Sequence, residues 1–137
     1  MRVLFIVEAG FKYGLGHLMR CRSLLLELER RGIASDLWVR GERSALDGLK
    51  WPDRMDVRVS GDDVPMAGLE KDIAAYLGRT AYDRIVVDGY GFSGAALYDL
   101  FTAGGGGLFM LDDFADRTLK ADVVLNQNTE RADLYAD

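Results

Sequence analysis

The chain has 137 residues, 49% of them hydrophobic and 28% charged, with a formal net charge of −5. That length and apolar share suit one domain with an ordinary core. An acidic balance without any Lys- or Arg-rich block argues against a nucleic acid or an anionic membrane surface as partner. Cys21 is the one cysteine, which excludes a disulfide within the chain and suits a reducing compartment. Met1–Val7 is too short for a signal peptide, and no later apolar run approaches a membrane span, so a cytoplasmic protein is expected.

The first element is Arg2–Val7 (RVLFIV), a short β-branched run that reads as a strand. A glycine-rich stretch, Gly14-Leu15-Gly16-His17, follows it. From Leu18 the apolar positions Leu18, Cys21, Leu24, Leu25 and Leu28 trace one face of a helix. Arg30-Arg31-Gly32 closes that helix, with basic residues in its last turn and a glycine to stop it. Ala34–Arg40 is expected as a second strand, Glu42–Lys50 as a short helix and Asp56–Ser60 as a third strand. Gly68–Arg79 is expected as a helix, with Leu69, Ile73, Ala74 and Leu77 at helical spacing. Arg84–Asp88 (RIVVD) is a continuous apolar run of the kind buried on both faces. Ser93–Ala103 reads as a helix closed by the run Gly104 to Gly107, then Leu108–Asp113 and Asp122–Leu125 as strands. Residues 126–137 are polar and read as a tail or the start of a connection.

Strands alternating with helices over this length predict an α/β fold, a doubly wound parallel, Rossmann-like sheet spanning 1–126. Right-handed units around a first strand at the switch point give the order 3-2-1-4-5-6. In such sheets ligands bind beyond the carboxyl ends of the strands, where His17, Asp88, Asp112 and Asp113 are expected to gather.

His17 is the only histidine, and it stands at the start of a helix behind a glycine loop. The free N–H groups and positive dipole end there suit a ligand oxygen, and glycines at 14 and 16 allow close approach of the backbone. The same dipole disfavours an imidazolium, so a neutral ring able to accept a proton is expected; the competing reading is a packed or capping histidine. Arg20 lies one turn on and is suited to hold a phosphate or orient a carboxylate, or else to form a solvated salt bridge. Tyr90, between Gly89 and Gly91, either presents its hydroxyl or plugs a turn. Asp112-Asp113 lack a histidine partner and make a weak metal site, so no metal is expected. Asn126 is placed to cap a turn or read a ligand. No Lys-Ser or Lys-Thr follows the glycines, and Gly10, Gly14 and Gly16 have the wrong spacing for a dinucleotide, so neither a P-loop nor NAD is expected, nor any other cofactor.

The stretches RVLFIV, GLGHLMR, RIVVDGYGFS and FMLDDFADRTLKADVVLNQN, in that order over residues 2 to 128, resemble the UDP-2,4-diacetamido-2,4,6-trideoxy-β-L-altropyranose hydrolases of pseudaminic acid biosynthesis. The resemblance implies that His17 activates water for attack at the anomeric carbon, with UDP leaving and configuration inverting. It implies that Tyr90 is an active-site tyrosine, that Gly14, Gly16 and Arg20 face the substrate, and that Asp112, Asp113 and Asn126 lie near a domain cleft. It further implies a GT-B-like architecture whose second Rossmann-like domain, absent from this chain, holds the nucleotide. This chain alone is then expected to fold, to bind UDP weakly, and to leave a carboxyl-end face open to a second copy. Glu8, Ala9 and Phe11 stand where the family carries a serine-rich loop. Two other readings remain open at this stage. One is the acceptor-binding domain of a GT-B glycosyltransferase, which shares the GxGH loop. The other is a flavodoxin-like binding or signalling module, disfavoured because only Glu8 follows the first strand and no lysine follows a late one.

Overall fold

A computed structural model describes residues 1–102, 106–116 and 118–135. The side chains of Leu100, Phe101 and Ala132 are outside that description. Strands β1 (Arg2–Ala9), β2 (Ala34–Gly41), β3 (Val57–Ser60), β4 (Arg84–Asp88), β5 (Gly107–Leu111) and β6 (Val123–Leu125) form one six-stranded sheet in the order β3-β2-β1-β4-β5-β6. Every pairing is parallel, with Val3 opposite Arg84 and Arg2 opposite Ala34. The expected Rossmann-like order is therefore observed. Among the described residues three α-helices cover the sheet: α1 (Gly16–Arg30), α2 (Met66–Leu77) and α3 (Ala95–Thr102).

The two faces follow from the period of two along β1. Val3, Phe5, Val7 and Ala9 point to one side and pack with Leu18, Cys21 and Leu25 of α1. Leu4 and Ile6 point to the other and pack with Leu69 and Ile73 of α2 and Leu97 of α3. A central strand buried on both faces needs apolar residues at every position, which RVLFIV supplies. Cys21 is fully buried in the α1 layer, as its place on the stripe predicts, and burial pushes its thiol well above the ordinary range.

The helix α1 ends as expected. Gly32 takes φ +72° and returns its N–H to the Glu29 carbonyl. At that end Glu27 accepts from both Arg30 and Arg31, which hold its carboxyl down at about 2. At the amino-terminal foot of the sheet, buried Asp36 of β2 accepts from Arg2 Nε at 2.9 Å and from the Tyr82 hydroxyl at 2.6 Å. Burial, then the bond to Asp36, raises the Tyr82 phenol above its usual range.

Several boundaries differ from the sequence reading. The strand β1 runs two residues further, through Glu8 and Ala9, because its pairing with β2 continues to Gly41. The short helix expected over Glu42–Lys50 is a single 3-10 turn, Arg43–Leu46, stopped by extended Asp47 and by Gly48 at φ +73°. The helix α2 starts at Met66, where Pro65 in the N-cap position fixes the entry. The helix α3 starts at Ala95, after Gly94 at φ +84°. Of its expected closure, Ala103, Gly104 and Gly105 lie outside the described residues, and Gly107 opens β5. The β5 strand ends at Leu111, so the pair Asp112-Asp113 lies in the turn after it. Residues 126–135 carry a short 3-10 helix, Ala132–Tyr135, that returns to Asp112. No helix among the described residues is long and apolar enough to cross a membrane.

Candidate functional site

The loop between β1 and α1 closes on itself. Gly10 and Gly14 exchange backbone hydrogen bonds of 3.1 and 2.6 Å, and both take positive φ, +133° and +75°. The strand therefore leaves the sheet, turns tightly and delivers Gly16 and His17 as the first residues of α1 at the crevice between β1 and β4. Among the described residues no side chain caps this helix end, and no acid lies in its first turn, so its leading N–H groups suit ligand oxygens. Among the same residues, a Cβ at Gly16 would meet nothing within 4 Å.

His17 is 5% exposed, and its Nδ1 lies 2.7 Å from Asp88 Oδ1. An ionised carboxylate only accepts, so Nδ1 carries the proton and Nε2 is the nitrogen left for proton exchange. Asp88 ends β4 and is fully buried beneath the first turns of α1. Besides His17, it accepts from Arg20 Nε at 2.7 Å and from Arg20 NH2 at 2.6 Å. The outer edge of the same guanidinium meets Asp113, with NH1 2.7 Å from Oδ1. Arg20 thus bridges β4 and the turn after β5. Its bonds to Asp88 and Asp113 raise its pKa further, and in return Arg20 holds the Asp113 carboxyl below the usual range.

Tyr90 follows β4 in the turn Gly89–Gly91. Its ring meets the His17 ring edge-on at 4.4 Å between centroids, and its hydroxyl donates to Asp113 Oδ2 at 3.2 Å. Burial and then the neighbouring Asp113 raise its phenol pKa. Asn128 Nδ2 also donates to Asp113, at 3.2 Å. These groups surround a cavity of about 200 Å³ lined by Tyr13, Gly16, His17, Arg20, Tyr90, Asp113 and Gln127.

The structure gathers six of the expected residues, Gly16, His17, Arg20, Asp88, Tyr90 and Asp113, with Gly14 at the loop neck beside them. Asp88 touches the cavity only through its partners, because α1 covers its carboxylate; it orients His17 and Arg20 rather than a ligand. Of the two uses expected for Arg20, the geometry shows the orientation of carboxylates. Asp112 and Asn126 are elsewhere. Asp112 is buried and accepts from the Ala115 N–H and the Tyr135 hydroxyl, and Asn126 Nδ2 donates to the same Tyr135 hydroxyl. They fasten the 126–135 segment beside β5 and β6. A larger hollow of about 820 Å³ lies there, lined in part by Asn126, Leu134 and Tyr135.

Sequence reasoning missed Tyr13 and Gln127 in the lining, and it missed Glu8. Glu8 is 1% exposed; Oε2 accepts from Arg40 NH1 at 3.2 Å and Oε1 from the Gly91 N–H at 2.9 Å. Glu8 and Arg40 are direct register partners in β1 and β2, and a lone acid at the end of an apolar strand is the signal that was there to follow. Among the described residues, no group of three or more His, Cys, Asp or Glu side chains stands where it could hold a metal ion. Compared with known proteins, the chain matches no family model and no curated protein.

Proposed function

We propose that this chain carries the base-bearing half of a nucleotide-sugar hydrolase, one that releases UDP from a UDP-linked 2,4-diacetamido-trideoxyhexose. The observation that carries the reading is the His17–Asp88 pair at the uncapped start of α1. A buried carboxylate fixes one ring nitrogen and leaves the other for a water in the adjoining cavity. In the reaction, Nε2 takes a proton from that water as its oxygen bonds to the anomeric carbon. The bond from that carbon to the β-phosphate oxygen breaks, and UDP leaves with the electron pair. Asp88 stabilises the imidazolium that forms. A nucleoside diphosphate is already a good leaving group, so positioning water and taking its proton are the main demands on the site.

The cavity of about 200 Å³ is too small for a nucleotide sugar. We take the nucleotide to be held by a second Rossmann-like domain, which supplies the opposite wall and excludes water, as in a GT-B arrangement. The test is release of UDP from the UDP-sugar by the full-length protein and by His17→Asn, with and without candidate sugar acceptors. His17→Asn should fold normally and lose about 10²–10⁴-fold in kcat. An unchanged kcat removes His17 from the chemistry, and UDP release that depends on an acceptor replaces hydrolysis with glycosyl transfer.

A further inference from the structure

We infer that Glu8, to which hydrolysis assigns no task, is a positioning residue that sets the Tyr90 ring against His17 through the backbone of the Gly89–Gly91 turn. Its importance for catalysis rests on the proposed hydrolysis; the placement of the ring does not.

Glu8 lies in the central strand among fully buried apolar residues, where a carboxylate is kept only if its charge and both oxygens are satisfied. One oxygen faces Arg40, its register partner on β2. The other takes the Gly91 N–H. The turn is moulded onto this carboxylate. A Cβ at Gly89 would lie 2.5 Å from Oε1, and one at Gly91 would lie 3.0 Å from Oε2. A side chain at 89 would displace the acid beneath, and one at 91 would press on Glu8, Arg40 and Met66.

Tyr90 itself is 47% exposed; its ring also lies 5.1 Å from the Phe114 ring, and beyond Gly91 the chain is anchored by fully buried Phe92. With Gly91 fixed from below, the ring stands edge-on to His17 and its hydroxyl reaches Asp113. An ion pair with Arg40 that served stability alone would require no contact with the turn. Here one oxygen is given wholly to it.

Because His17 is the chain's only histidine, its two carbon-bound ring protons are isolated NMR probes of the Tyr90 ring current. The variants are Glu8→Ala, which deletes both contacts, and Glu8→Gln, whose amide oxygen can still accept from the Gly91 N–H. Tyr90→Leu sets the resonance position without the ring. Both Glu8 changes strand the Arg40 charge, since the glutamine NH2 group would face it, so both are also measured on an Arg40→Met background. We expect the Glu8→Ala proteins to move the His17 protons toward their Tyr90→Leu values, and Glu8→Gln to stay with the unmodified protein. In the UDP-release assay of the full-length enzyme, the alanine variants should lose about tenfold to a hundredfold in kcat with little change in KM, the effect of a misplaced group rather than lost binding. Glu8→Gln should restore most of it. With Arg40→Met in place, wild-type resonances in Glu8→Ala, or an equal shift in Glu8→Gln, overturn the assignment. The resonance comparison needs no turnover, so a protein without hydrolase activity overturns the functional reading alone.

Discussion

Replacing Asp88 with asparagine tests both the electrostatics and the chemistry of the site, because the change is nearly isosteric and its consequences divide. The carboxylate accepts from His17 and twice from Arg20 at 2.6 to 2.7 Å, and at 3.7 Å from the Cys21 thiol. An amide retains one accepting oxygen and replaces the other with a donor. If the NH2 group takes the Oδ1 position, the ring must accept at Nδ1 and carry its proton on Nε2, the tautomer that cannot take a proton from water, and Arg20 NH2 also meets a donor. If it takes the Oδ2 position, it meets the Arg20 Nε donor instead. Breaking a buried ion pair costs about 3–5 kcal/mol; here Asp113 still pairs with Arg20, so the lower end, about 3 kcal/mol, is expected. For a domain of this length that corresponds to a fall in Tm of about 10 °C. The wrong tautomer should lower kcat by about 10³–10⁴-fold, the scale seen when a base loses its orienting carboxylate. Thermal unfolding followed by circular dichroism, together with UDP release well below the variant's Tm, measures the two effects separately. A variant that melts like the unmodified protein would refute the buried pair. One that melts early and still turns over at the original rate would refute the orienting role.

Asp113 should make stability acid-sensitive in a way that Asp113→Asn does not. Arg20 depresses its folded pKa, so its contribution is present above the ordinary carboxyl value of 3.8 and is lost as pH falls through the lower folded value. Urea titrations should show wild type more stable by about 1–2 kcal/mol at pH 7, with the gap closing below pH 3.8; a pH-independent gap contradicts the pairing. Tyr82 works in the opposite direction. Its folded pKa is raised, so its contribution is complete below the ordinary phenol value of 10.0 and is lost as pH rises through the folded value. Tyr82→Phe should cost about 1–2 kcal/mol at neutral pH through loss of the bond to Asp36, and should flatten the alkaline decline seen by fluorescence-detected unfolding; an unaltered decline assigns it to another group.

The parts of this protein readable from its residues are those where one physical signal acts alone. RVLFIV and RIVVD have to be buried on both faces, and the alternation of strands and helices leaves one parallel order once right-handed crossovers are required. His17, Arg20, Asp88, Tyr90 and Asp113 share a site because each lies at or just past a strand end or at a helix start, places that the sheet brings together. Side-chain pairings across the sheet are another matter. Whether Arg20 would meet a phosphate or two carboxylates depends on which acids lie across the crevice, and nothing local to GLGHLMR says so. Glu8 looked like an oddity of the loop until the pairing of β1 with β2 set Arg40 opposite it. Asp112 and Asp113 are neighbours with divergent surroundings. One residue of offset in the turn turns Asp113 toward Arg20 and Asp112 toward Tyr135, a difference of direction that composition does not record.

The strand order also sets when, during its own synthesis, this chain can orient the His17 ring. His17 belongs to the first helix, while the carboxylate that orients it lies 71 residues later, on the strand that seals the other side of β1. A nascent chain that has completed β1, α1, β2 and β3 carries the whole glycine loop and its histidine, but the imidazole has no partner and the central strand has one bare edge. The β4 strand brings the missing neighbour for the sheet and the missing carboxylate for the ring in the same event, a closure of long range in sequence and therefore slow relative to local helix formation. Fragments and stalled chains consequently lack the oriented imidazole, and its appearance marks the moment at which the two halves of the sheet have joined.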